Sequence, residues 1–287
     1  MKERIGFVCD STADFPPGVA EKLGLHVLPV HINVDGRDRL DGLSISNTQV
    51  IQALKEKCTV YTKPFLPGEC ADLYDRLLEK YERVVSFHLS THLSANYRSA
   101  VNARKLLFEE DAERLSVIDM GSVSATLGLD IKHAVERLRK EGVPRNLDER
   151  MAPQRSEASM WFTVENLHWL KEGGRVSAFA AFVGGVLNIK PIIHLDDARL
   201  VPIEKHLGKK TALKRLVEMA VERFRRMQGR CDIWIAYADN LHEVMSLREE
   251  LAFRINRPVD DIKLVELGAT IAVHAGPGSA AISMVPA

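Results

Sequence analysis

Four side chains combine a useful chemical type with a constrained setting: Thr62, Ser94, Arg175 and His274. Ser94 opens a helical pattern. A serine there either caps the helix or, with the free N–H groups and positive dipole end, meets an anion. His274 stands just before the Gly276-Pro277-Gly278 turn. A lone histidine is more often structural than functional, but this turn constrains its backbone. Arg175 closes a Gly173-Gly174-Arg175 turn, where its simplest use is as a helix C-terminal cation after a glycine stop. Thr62 reads as a loop threonine that caps a turn.

Ser94 and His274 could also be imagined as a hydrolase pair, with Asp119 or Asp10 as the acid. No G-x-S-x-G elbow supports that pairing. Asp10, Ser11, Thr12 and Asp14 form a polar loop after the first strand. Turn formation and helix capping explain it more simply than acid–base or metal chemistry. The sequence has no phosphate-binding G-x-x-x-x-G-K-[ST] loop and no strand followed by G-x-G-x-x-G. No His-x-x-x-His or cysteine cluster has zinc spacing. The expectation is therefore no metal and no cofactor.

Strands and helices alternate around these residues. Strands are expected at 4–9, 25–34, 83–88, 115–118 and 160–163, then 189–195, 199–206, 232–237, 262–266 and 282–285. Helices are expected from Asp14 through Pro16-Pro17, and at 46–57, 67–81, 94–110, 122–141, 209–228 and 241–255. Ser46 and Gln49 make a capping box for one of them. Short buried strands between helices argue for a parallel sheet covered on both faces. Asp10, Thr62, Ser90 and Asp119 fall at or just past strand ends, where open α/β sheets bind ligands. The nearly uncharged segment 177–187 reads as a buried helix, either core or cavity wall.

The chain has 287 residues, with 39 Lys+Arg against 39 Asp+Glu. That balance argues against nucleic acid and against an anionic membrane surface. No apolar run is long enough to span a membrane. The opening MKERIGFVCD reads as a strand, not a secretory leader. Cys9, Cys58, Cys70 and Cys231 are scattered, as expected for reduced thiols in a cytoplasmic protein.

Four segments together resemble the DegV family of bacterial fatty-acid-binding proteins. IGFVCDSTADFP at 5–16 resembles its strand-D-S-T-A-D opening, and LSTHLSANYRSA at 89–100 its S-S-x-L-S-G-T-Y-x-S-A segment. The stretch 161–213, with Gly173-Gly174-Arg175 and Asn188-Ile189-Lys190-Pro191, resembles its second-domain pattern. VHAGPGSAAI at 273–282 resembles its H-x-G-P-G close. The segments keep the family's order and span the chain.

The resemblance implies an α/β protein of two domains. The first, 1–155, has a parallel sheet flanked by helices. The second, 156–287, has a mixed sheet, and the ligand lies between them. It implies a long-chain fatty acid of the palmitate, stearate or oleate type. Its carboxylate would meet Thr62, Ser94 and His274, with Ala95 and Gly276 in the binding motifs and Arg175 near the head. Phe179, Phe182, Val183, Val186 and Leu187 would line the acyl tunnel. The protein would then be a carrier and no enzyme, presenting its acid to a separate fatty acid kinase for phospholipid synthesis. An esterase or a lipid sensor using the same pocket are the alternatives. The sequence departs from the family pattern in three places. Lys63-Pro64-Phe65-Leu66 breaks T-S-Q-P-S-P, Ala95-Asn96 replaces Gly-Thr, and Leu207 stands where many relatives carry arginine.

Overall fold

The computed structural model describes residues 3–144, 146–147, 149–151, 157–175 and 188–287. The strands in chain order are β1 (Glu3–Asp10), β2 (Leu25–Leu28), β3 (His31–Val34), β4 (Arg37–Leu40), β5 (Val60–Lys63), β6 (Tyr81–His88), β7 (Leu115–Asp119), β8 (Ser159–Thr163), β9 (Ile189–Asp196), β10 (Arg199–Leu207), β11 (Cys231–Tyr237), β12 (Ile262–Glu266) and β13 (Ala280–Pro286). The fold is α/β. A parallel sheet β2-β1-β6-β7 forms from the first half, and a mixed sheet β10-β9-β8-β13-β11-β12 from the second. In the mixed sheet only β11–β12 is parallel; the other neighbours run antiparallel.

The single strand expected at 25–34 is two strands in different sheets. Pro29 has no N–H for a ladder, so pairing stops there. Ser11 fixes the corner: its N–H donates to the Leu28 carbonyl at 3.0 Å, and its Oγ accepts from Val30 N–H at 3.0 Å. Beyond the corner β3 joins a small antiparallel sheet, β4-β3-β5, which sequence reasoning did not anticipate. A signal for it was present. Asp35 and Gly36 both take positive φ, 48° and 83°, as an Asp-Gly hairpin turn requires.

Helix boundaries differ from expectation most over 94–110 and near Pro16-Pro17. The Ser46–Gln49 capping box forms, and its helix runs Asn47–Lys55. The helix expected over 94–110 is instead Asn96–Arg104 followed by Glu109–Arg114. Glu109, Glu110 and Asp111 favour a fresh N-terminus, because negative side chains suit the positive dipole end. The helix near Pro16-Pro17 is short, Val19–Lys22, and Gly18 caps it. Asp14 is not its cap. That carboxylate is buried and faces the second half of the chain.

One apolar cluster runs through both sheets, from Phe7, Phe87 and Leu127 to Phe162, Trp234 and Val285. The Ser124–Glu141 helix connects them. Gly128 lies so close to the Asp14 carbonyl and the Trp234 ring that a Cβ would collide with both. Thr126 Oγ1 donates to Ser283 Oγ on β13 at 2.8 Å. The expected apolar helix at 177–187 lies outside the described residues. Among those described, no helix is long and apolar enough to cross a membrane.

Candidate functional site

Thr62 sits on β5 opposite Ile32. Its hydroxyl meets His274 Nε2 at 2.9 Å, across a separation of 212 residues. His274 lies in the last turn of a helix, Ala269–Ala275, that sequence reasoning missed. The segment GATIAVHAG is short and small-residued, so its helical period was hard to read, but glycines bound it at both ends.

Close packing on Gly173 holds the ring, and a second glycine seats the neighbouring Trp169. A Cβ on Gly173 would collide with the His274 imidazole, and one on Gly276 would collide with the Trp169 indole. Gly276 also ends the helix at φ 74°, a region that favours glycine. Gly276 thus acts on the helix end and is not among the described residues that line the cavity. Burial, and then the Arg175 guanidinium, push the His274 imidazole down to about 3, so it is neutral at pH 7. Its Nδ1 is buried without a hydrogen-bond partner.

Ser94 lies one residue before the helix cap, Ala95, and its Oγ accepts from Asn96 N–H at 3.3 Å. The expected direct N-cap is therefore displaced by one residue. The loop is held from the second half of the chain at two points. Ser90 Oγ donates to the Ala198 carbonyl at 2.6 Å, and Arg175 Nε donates to the Leu93 carbonyl at 3.1 Å. Arg175 also donates to the Gly173 carbonyl. Burial lowers the Arg175 guanidinium, which stays charged. Among the described residues it has no carboxylate partner.

Thr62, Ser94, Ala95, Arg175 and His274 all line one cavity of about 380 Å³. That is within the range for small-molecule sites. Much of the remaining wall is apolar and comes from both halves, including Val123, Phe162, Leu170, Leu200, Leu267 and Ile271. Lys63, Arg98 and His92 add basic groups, and no Asp or Glu is among the described lining residues. Such a site can take a molecule with a long apolar body and an anionic end. Phe179, Phe182, Val183, Val186 and Leu187, the expected tunnel residues, lie outside the described residues.

The imagined Ser94–His274 triad is not assembled. His274 is bonded to Thr62, and Asp119 accepts from Thr91 and Gly121. A serine–histidine–aspartate chain does exist elsewhere. Ser86 Oγ lies 2.8 Å from His88 Nε2, and His88 Nδ1 lies 3.3 Å from Asp10 Oδ2. All three residues are fully buried, so this chain braces the parallel sheet and reaches no substrate. Asp10 also accepts from Leu89 N–H, fixing a cavity wall. Lys190 is likewise internal, paired with Glu165. The described residues hold no group of three or more metal-ligating side chains.

A family model described as "Uncharacterised protein, DegV family" matches residues 4–287. A DegV domain-containing protein of Deinococcus radiodurans is 31% identical over 287 residues, covering 98% of each chain. A solved structure described as fatty acid binding of a DegV family protein from Thermus thermophilus is similar at TM-score 0.88. It is 28% identical and covers 99% of this chain and 100% of that one. A fatty acid binding DegV family protein from Streptococcus agalactiae is similar at TM-score 0.85. It is 26% identical, with 99% of each chain covered.

Proposed function

This chain belongs to the DegV family, and from that premise we propose that it binds one long-chain fatty acid, tail in the cavity and carboxylate at Thr62, Ser94 and His274. The observation that carries the reading is the polar end of the cavity. Thr62, Ser94 and His274, three neutral hydrogen-bonding groups, line the cavity together with the Arg175 guanidinium, in a wall that holds no Asp or Glu among the described residues. Arg175 is half-buried and bonds backbone carbonyls but no carboxylate among the described residues, so an anionic ligand would supply a charge partner there.

The energetics divide the work. Burying roughly fourteen methylenes at ~0.8 kcal/mol each contributes at most about 11 kcal/mol before ordering costs. The tail therefore sets affinity. Thr62, Ser94 and His274 offset the desolvation of the carboxylate and fix its position, with Arg175 supplying charge nearby. Neutral His274 acts as a hydrogen-bonding group, not as an ion-pair partner. We place the division between two units of the chain at 155/156, with the ligand held between them.

The proposal extends to a carrier role, in which the bound acid is offered to a separate kinase that phosphorylates the carboxylate. Leu207, 70% exposed at the end of β10, stands where many members of the family carry arginine, which counts against that second step and not against the first. The test is lipid analysis of protein purified from bacteria. Mass spectrometry after denaturing extraction should find stoichiometric C16 or C18 acid. Absence of lipid, together with no binding of added palmitate or oleate by delipidated protein, would overturn the reading.

A further inference from the structure

The helix that carries His274 has no cap of its own. It starts at Gly268, which has no side chain to accept its first N–H groups. Two aspartates from the other end of the chain supply the cap. Asp14 Oδ1 accepts from Gly268 N–H at 2.9 Å. Asp41 Oδ1 accepts from Ala269 N–H at 3.1 Å, and Asp41 Oδ2 from Thr270 N–H at 3.2 Å. Each carboxylate is itself steered: Ser124 Oγ donates to Asp14 at 2.6 Å and Ser11 Oγ to Asp41 at 2.8 Å. Both residues are 4% exposed, and neither is among the cavity-lining residues.

The placement ties this clamp to the ligand site. Asp41 directly follows β4, in the same antiparallel sheet that carries Thr62 on β5. The sheet thus grips the helix start through Asp41 and the helix end through the Thr62–His274 hydrogen bond. A rigid helix of seven residues joins the two grips. Gly268 fits beneath Asp14 because a Cβ there would press on Oδ1 at 2.9 Å.

We propose that Asp41 and Asp14 are positioning residues for the head-group site: they hold the Ala269–Ala275 helix at the axial height and rotation that bring His274 to Thr62. The inference rests on the fatty-acid reading and assigns it two residues that touch no ligand. Without the clamp the helix keeps its apolar contacts but loses its register against β5. Tail binding survives, and recognition of the carboxylate does not.

The test compares palmitate with methyl palmitate, which keeps the tail and lacks the charged head. Delipidated wild type and Asp41→Asn are titrated with both, and Asp41→Ala is added if it folds. Asn keeps one acceptor oxygen and can satisfy only part of the cap. Palmitate affinity should fall about tenfold in the Asn variant, the size of one lost hydrogen bond to a charged group. Methyl palmitate affinity should stay within about twofold of wild type, and the His274 ring signals in the NMR spectrum should move. Equal losses for both ligands would show a general structural role and overturn the proposal, as would unchanged palmitate binding. Wild type that binds neither ligand would instead refute the fatty-acid reading itself.

Discussion

At pH 7 the His274 imidazole is uncharged, held near 3 by burial and by Arg175 against an ordinary value of 6.5. The unfolded chain takes up that proton near 6.5 and the folded chain only near 3. Stability contributed by neutral His274 is therefore complete above about 6.5 and is lost as pH falls through that window, by up to roughly 1.4 kcal/mol per pH unit. His274→Gln should flatten this dependence, measured as urea midpoints between pH 7 and pH 5. A variant with the wild-type slope would show that another group titrates. Asp14 has the opposite sign. Burial first, opposed by the Ser124 and Gly268 hydrogen bonds, raises its carboxyl to about 8. The folded state then holds a proton that the unfolded state releases, so stability falls between about 4 and 8. Asp14→Asn should lose that decline and gain on wild type as pH rises from 5 to 8. At the ligand, Thr62→Ala with Ser94→Ala should weaken palmitate binding by about 1–2 kcal/mol per hydroxyl while the fold stays intact. Unchanged affinity in calorimetry would place the carboxylate elsewhere.

The Ala269–Ala275 helix and the glycines against it decide whether those residues meet. Gly276→Ala meets two obstacles, a positive φ and the Trp169 ring. It should cost about 1–3 kcal/mol in chemical denaturation from backbone strain alone, with the clash adding to it. A change below half a kcal/mol would show that Trp169 yields freely. Sequence reading recovered much at this scale, including the Ser46–Gln49 capping box and the bounds of the Leu241–Ile255 helix and β12. It lost elements where tertiary contacts replace local signals. The His274 helix is seven residues long and takes its cap from Asp41 and Asp14, more than 200 residues away in sequence. β4 is charged and largely exposed, so its apolar alternation is absent and only the Asp-Gly turn marked it. Family motifs put Thr62, Ser94, Arg175 and His274 on one list. They could not show that Arg175 also holds the Leu93 carbonyl, or that Gly173 is glycine because the His274 ring lies against it.

In the molecule as a whole the Ser124–Glu141 helix links the parallel and mixed sheets, with the cavity walled from both halves of the chain. Sharing a core and a cavity makes ligand binding and global stability one equilibrium, so bound acid should raise the melting temperature. Among the described residues the cavity does not bring Ser94 and His274 together as a reacting pair. The Ser86–His88–Asp10 chain is sealed inside the parallel sheet, and the site serine is bonded to the backbone. Purified protein should not cleave p-nitrophenyl acyl esters above background. Turnover that disappears in Ser94→Ala would establish a serine hydrolase instead. The most direct measurement of the central claim is a crystal structure of delipidated protein soaked with palmitate. The account predicts the carboxylate within about 3 Å of Thr62 Oγ1, Ser94 Oγ and His274 Nε2, with the tail along Phe162 and Leu267. A palmitate with its carboxylate at the opposite end of the cavity, or bound outside it, would contradict the account.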